Sequence, residues 1–144
     1  MMDIEGYIKA LEKARNALDQ AADKILDEAT KLRSEYWSSA TSEDEKARYS
    51  FNVVKQESTI RIRWARMTPF RKAGGDIYRV VPKYLTINKG ETYPVSKFKD
   101  AGPRELSLIV MYEAQLTTLR AELKKNRSIR QLISRRITEN KKLL

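Results

Sequence analysis

Ile4, Ile8, Leu11, Leu18, Ala22, Ile25, Ala29, Leu32 and Tyr36 recur at alternating spacings of four and three, a seam broken only by Arg15. Such spacing gathers its members on one stripe of a helix, and it predicts a helix from Ile4 to Tyr36. At about 1.5 Å per residue that helix runs roughly 50 Å. Its stripe overruns a small globular core, so it requires a partner helix. The same chain supplies one. Gly102-Pro103 has the chemistry of a helix start, and Ile109, Tyr112, Leu116, Leu119 and Leu123 continue the spacing. Asn126 and Arg130 interrupt this second seam before Ile133 and Ile137 resume it. The pattern predicts an α+β fold: coiled-coil-like N- and C-terminal helices form an antiparallel hairpin with a small antiparallel β head between them. The expected organisation is a single domain over 1–144, with a helical arm 1–50, a basic β head 51–100 and a helical arm 101–144. Aligning the β-proximal ends brings Arg15 near Asn126 as one polar layer. A parallel homodimer through either helix is the competing arrangement.

Between the arms the texture changes. Ser42-Glu43-Asp44-Glu45 has the capping-box pattern and predicts a short helix toward Tyr49. From Asn52 to about Phe98 β-branched and aromatic residues alternate with turn chemistry, the breaks being Thr68-Pro69, Gly74-Gly75 and Asn88-Lys89-Gly90. Ser58 to Trp64 predicts a strand with Ile60, Ile62 and Trp64 on one face and Thr59, Arg61 and Arg63 on the other. Further strands are expected at Ile77 to Val81, Lys83 to Ile87 and Thr92 to Val95, the last two joined by a hairpin loop at Asn88-Lys89-Gly90-Glu91. Pro82 and Pro94 mark edges or bends. Trp64 shares its face with Ile60 and Ile62, which assigns it to the core rather than to base stacking.

Charge is distributed unevenly. The chain holds 29 Lys and Arg against 19 Asp and Glu, a formal +10. Residues 1–50 carry −3, residues 51–104 carry +8 and residues 105–144 carry +5. An anionic partner is therefore expected at the head and the second helix. In the head, Arg61, Arg63, Arg66, Arg71, Lys72, Arg79, Lys83, Lys89, Lys97 and Lys99 are the candidate nucleic-acid contacts, interleaved with Trp64, Phe70, Tyr78, Tyr84, Tyr93 and Phe98. Duplex DNA is the expected ligand, with Arg61 and Arg63 projecting from one strand face and Arg66, Arg71, Lys72 and Arg79 gripping phosphates. Arg127, Arg130, Arg135, Arg136, Lys141 and Lys142 make the last helix basic and amphipathic, suited to DNA, a partner's groove or an anionic membrane surface. Of these the membrane is the least expected.

Catalysis is not expected. The absence of Cys and His removes thiolate nucleophiles, disulfides, the commonest general base and the commonest metal ligands. The head's four carboxylates, Glu57, Asp76, Glu91 and Asp100, have no spacing that suggests a metal pair or an acid/base couple. The expectation is a non-catalytic binder without cofactor or metal. A charged amphipathic N-terminus and no run of about 18 apolar residues add the expectation of a soluble, cytoplasmic protein.

The block Ile60-Arg61-Ile62-Arg63-Trp64, then Phe70-Arg71-Lys72, Lys83-Tyr84-Leu85 and Tyr93-Pro94-Val95-Ser96-Lys97-Phe98, followed by a long helix with Tyr112-Glu113, resembles the MobI family of conjugative-transfer proteins. The resemblance covers about the second half of the head and the start of the last helix. It implies an accessory factor that recognises an origin of transfer and helps a separate relaxase, or another transfer protein, begin DNA mobilisation. The alternative is a protein-interaction module or inhibitor, from a phage or mobile element, that acts on a host nucleic-acid-binding protein. The two differ in whether duplex DNA or a protein is bound at a defined ratio.

Overall fold

The structure is a computed structural model that describes residues 2–42, 47–75, 77–87 and 92–144; for Phe70, Ile77 and Tyr78 it describes the backbone. Its elements in chain order are α1 (Ile4–Ala40), β1 (Tyr49–Gln56), β2 (Thr59–Arg71), β3 (Ile77–Tyr84), a 3-10 turn (Val95–Lys97) and α2 (Pro103–Lys141). The fold is α+β as expected: two long helices with a small three-stranded antiparallel sheet, in the order β1-β2-β3, between them in sequence.

The α1 seam faces inward along its length, Ile8, Ala22, Ala29, Leu32, Tyr36 and Ala40 being buried. Asp3 caps the start by accepting from the Gly6 N–H at 3.0 Å. Gly102 and Pro103 open α2 as the sequence predicts. Side-chain bonds fix the antiparallel register of the hairpin. Arg104 donates to the Ser39 carbonyl at 2.7 Å, Asn126 to the Leu18 carbonyl at 3.0 Å, and Arg130 to Asp19 at 2.6 Å. The polar layer is displaced from the predicted one. Arg15 reaches Ser134 at 3.4 Å, two helical turns beyond Asn126, in the register where Arg130 meets the Asp19 carboxylate. Arg104 also puts a cation against the last carbonyls of α1, whose own final turn has no basic residue.

The sheet is staggered. β1 pairs with β2 from Tyr49↔Arg66 to Gln56↔Thr59, whereas β3 pairs with β2 only from Ala65↔Tyr84 to Arg71↔Ile77. The two hairpins thus share one 13-residue strand and overlap by two residues, Ala65 and Arg66. Past Arg66, β2 and β3 continue as a two-stranded ribbon for roughly 17 Å, closed by the turn Lys72–Gly75, where Gly75 N–H donates to the Lys72 carbonyl at 3.0 Å. Gly74 and Gly75 take φ of +107° and +97°, which the turn requires and other residues resist.

Several strand predictions change. β2 runs straight through Thr68-Pro69 instead of breaking there. The hydrogen-bonding phase of the ladder explains why. Leu85 N–H donates to the Trp64 carbonyl, so the even-numbered residues of β2 face β3, while Met67 N–H donates to the Arg48 carbonyl on the β1 side. Pro69 therefore points its missing donor toward a side where β1 has already ended. Pro82, opposite Met67, likewise needs no N–H to hold the ribbon, so one strand, Ile77–Tyr84, replaces the two expected around it. Thr92 to Val95 is not a strand; Val95–Lys97 forms a 3-10 turn and the expected fourth strand is absent there. Ala47 and Arg48 are not helical, and β1 begins at Tyr49, upstream of the expected β onset. The capping box at 43–45 and the hairpin loop at 88–91 lie outside the described residues.

The core sits where the sheet covers the β-proximal half of the hairpin. Trp64 is fully buried amid Tyr36, Phe51 and Phe98 at ring-centroid distances of 5.1, 4.9 and 5.3 Å. These edge-on contacts each stabilise by about 0.5–1.5 kcal/mol beyond burial. The assignment of Trp64 to the core holds.

Candidate nucleic-acid interface

A two-residue turn at Glu57-Ser58 and the strand alternation of β2 place Arg61 and Arg63 on its outer face, opposite Val54 and Asn52. Arg61 is exposed. Arg63 lies flat over Tyr84, its guanidinium carbon 3.8 Å from the ring centroid, while Asn52 donates to the Tyr84 hydroxyl at 2.9 Å. Tyr84 is thus held from two strands, with Arg63 over one face of its ring.

The predicted site residues separate into three groups. Arg71, Lys72, Arg79 and Lys83 are exposed on the ribbon and its turn. Register puts Arg79 and Lys83 on one ribbon face, with Thr68 and Val81 between them, while Arg71 donates to the Gly75 carbonyl at 2.9 Å and steadies the turn. Asp76 apart, which lies outside the described residues, the ribbon has no carboxylate. A second group builds the molecule. Arg66 pairs with Asp100 at 2.9 Å and lies 5.7 Å from the Tyr49 ring centroid, and Lys97 donates to the Thr86 hydroxyl at 3.2 Å. Lys99 is exposed beside Asp100. Lys89 lies outside the described residues.

The third group is Arg61 and Arg63, which the fold unites with the last helix. They line a groove of about 440 Å³ along the N-terminal half of β2, whose opposite wall carries Arg120, Lys124, Arg127 and Arg130 of α2. The sequence shows a basic strand and a basic helix 60 residues apart in the chain; only the stagger of the sheet, which keeps β3 away from this half of β2, lets them meet. A second cleft, about 1100 Å³, lies at the root of the ribbon between Trp37, Met67, Val80 and the end of α1. Of its four arginines, Arg48, Arg66 and Arg104 are bonded to Asp100 or to the α1 terminus, and Arg71 to the Gly75 carbonyl.

Two buried carboxylates position these walls, and neither was anticipated as such. Glu113 accepts from Trp64 Nε1 at 2.9 Å, from Tyr93 N–H at 2.7 Å and from Arg120 at 2.9 Å. Arg120 also donates to the Ile62 carbonyl at 3.0 Å and lies 4.8 Å from the Tyr93 ring centroid, so one ion pair ties β2, the 92–94 segment and α2 together. Burial pushes the Tyr93 hydroxyl above its ordinary range, against a partial offset from Arg120. Glu105, one long stride up the same helix face, accepts from the Arg48 and Tyr49 backbone N–H groups and thereby docks the start of β1; burial raises its carboxyl above the usual range. The sequence signal was available: Glu105 and Glu113 share a helix face with Ile109, Tyr112 and Leu116, where a carboxylate must find buried donors.

Fold and surface together define a helix-hairpin protein that presents a basic β ribbon and a basic groove. The chain belongs to the MobI protein family, whose family model matches residues 10–134. It is thus a mobilisation-related protein, and the match includes most of α1 as well as the head and α2. No curated protein and no solved structure matches it. Among the described residues no helix is long and apolar enough to cross a membrane.

Proposed function

We propose that the protein is a non-catalytic DNA-binding accessory factor that recognises an origin of transfer and assists a separate relaxase in conjugative mobilisation. The observation that supports this most is the ribbon: two strands wide, extended past β1, with Arg71, Lys72, Arg79 and Lys83 exposed on it. Neighbouring strands lie about 4.8 Å apart, so a two-stranded ribbon with its side chains fits a major groove about 12 Å wide. Its 17 Å reach is about half a turn of B-DNA, enough for cations near the tip and root to meet phosphates on both sides of a groove. Arg79, with Thr68 and Lys83 on the same face, is the group placed to read base edges, and Arg71 and Lys72 hold the tip. Membership of a mobilisation family supports the origin of transfer as the target and a relaxase as the protein that cuts.

Titration of labelled duplexes, one from the transfer origin of the protein's own element and one scrambled, tests this at several salt concentrations. The native duplex is expected to bind about a thousandfold more tightly than the scrambled one. Changing Arg71, Lys72, Arg79 and Lys83 to Ala together removes one base contact and up to three phosphate contacts, flattening the log–log salt slope by up to about 2.7. Over a fourfold rise in salt that is a factor of about 40 in sensitivity. An unchanged slope in the folded variant removes the ribbon as the interface, and equal, weak binding of both duplexes removes origin recognition.

A further inference from the structure

We propose that the groove between the N-terminal half of β2 and α2 binds an extended acidic peptide segment of another protein, which adds as a strand to the edge of β2 that no described strand covers. The edge is defined by ladder phase. The carbonyls of Ile62 and Trp64 point away from β1, the first taken by Arg120 Nε and the second by the Leu85 N–H. Ile60 has the same phase, and pairing with β3 begins only at Ala65, so the Ile60 backbone faces the groove. Thr59 to Ile62 offers roughly 13 Å of strand for an incoming peptide.

The groove's chemistry selects an anion. Its floor is apolar, with Ile87, Tyr93 and Leu123 beside Ile60 and Ile62, and no carboxylate is among the described residues that line it. Arg61, Arg63 and Arg127 have no ion-pair partner among the described residues, and Lys124 adds a fourth cation to the rim. Arg63 Nε is buried without a hydrogen-bond acceptor among the described residues, so this arginine has donor capacity to spare. The same wall disfavours single-stranded nucleic acid. Stacking needs a free aromatic face, but Tyr93, the aromatic among the described residues that line the groove, is buried with Arg120 over its ring. An extended peptide needs only backbone partners, apolar seats for alternate side chains and cations for the rest. None of the four ribbon cations lines this groove, so the peptide site and the DNA reading stand or fall separately.

The experiment uses the full chain and a fluorescein-labelled nine-residue peptide of alternating Glu and Val, followed by anisotropy at low salt, with hydrogen exchange read at Ile60. Binding is expected, with exchange at the Ile60 amide slowed at least tenfold. A Gln-for-Glu peptide should bind at least tenfold more weakly, as should the wild-type peptide to the exposed-surface variant Lys124→Glu/Arg127→Glu. N-methylation of one alternate set of peptide residues should abolish binding while the other set is tolerated, since only one set faces β2. The ribbon variant should bind the peptide normally. No binding, equal binding of the Gln peptide, tolerance of both methylated sets, or protection of Ile60 by oligo-dT but not by the peptide would each overturn the proposal, the last in favour of single-stranded DNA.

Discussion

Glu113→Ala should be the most damaging single truncation of a polar side chain where α2 packs on the head. The carboxylate is 5% exposed and accepts from Trp64 Nε1, Tyr93 N–H and Arg120. Its loss leaves two buried N–H groups without acceptors, at about 1–3 kcal/mol each, and a guanidinium without its partner. Removing one member of a buried ion pair alone costs about 3–5 kcal/mol. The three losses belong to one network and do not add, so about 4–5 kcal/mol is expected. For 144 residues the unfolding entropy is about 0.3 kcal/mol/K, which converts this to a fall in Tm of roughly 13–17 °C. Glu113→Gln keeps the size and one acceptor but turns an amide N–H₂ toward a donor, and should cost about half as much. Denaturant titration followed by Trp fluorescence gives the numbers, and a cycle with Arg120→Leu gives the coupling. The double variant should be at least 2 kcal/mol more stable than the sum of the two losses implies, because it leaves neither charge buried alone. A loss below about 1 kcal/mol for Glu113→Ala, or additivity within about 0.5 kcal/mol, would refute the view that this carboxylate holds β2, the 92–94 segment and α2 together.

Glu105 has a raised carboxyl in the folded chain, so folding takes up a proton between the unfolded value of about 4.3 and the raised one. Its contribution is full below that window and is lost as pH rises through it. The Tm of the wild type minus that of Glu105→Gln should therefore fall from pH 4 to pH 7, and a difference that grows over that range would show the carboxyl to be held ionised instead. Glu57, in the β1–β2 turn, has φ of +58°, a conformation that costs a side-chain-bearing residue about 1–2 kcal/mol. Glu57→Gly, after the greater entropy of the unfolded glycine, should raise stability by about 0.5–1 kcal/mol, a Tm gain of about 2–3 °C by scanning calorimetry; a lower Tm would mean that the side chain itself supports the turn.

The helices were legible because their seams are long. Nearly every residue of the α1 stripe from Ile4 to Tyr36 is buried or half-buried, and Gly102-Pro103 starts α2 as its chemistry requires. The phase of Ile60, Ile62 and Trp64 against Arg61 and Arg63 was legible for the same reason, since period two assigns faces without knowledge of neighbours. Strand ends were not. Pro69 and Pro82 read locally as breaks, and only the pairing phase, a property of three strands at once, shows that neither interrupts a needed hydrogen bond. The candidate site was half legible for a related reason. Composition could mark Arg61 and Arg127 as basic, but not place them across one groove, nor show that Arg66 pairs with Asp100, 34 residues later. Charge count reports supply; partners decide use.

The two ends of β2 carry opposite treatments of the same hazard. An open strand edge invites another strand, and chains commonly blunt such edges with proline, charge or a covering element. Where β2 outruns β1, Pro69 removes the donor on the vacated side, and on the far side of the ribbon Pro82 does the same for β3. Those edges are closed to strand addition, which leaves the ribbon's cations, rather than its backbone, as the means of contact. At the other end, where β2 precedes β3, no proline lies between Thr59 and Trp64, and the flanking Arg61, Arg63, Lys124 and Arg127 repel basic or neutral strands much less than they attract acidic ones. On the two readings proposed above, the staggered sheet would separate two kinds of recognition along one strand: side-chain charge at the ribbon, and backbone with charge selection at the groove.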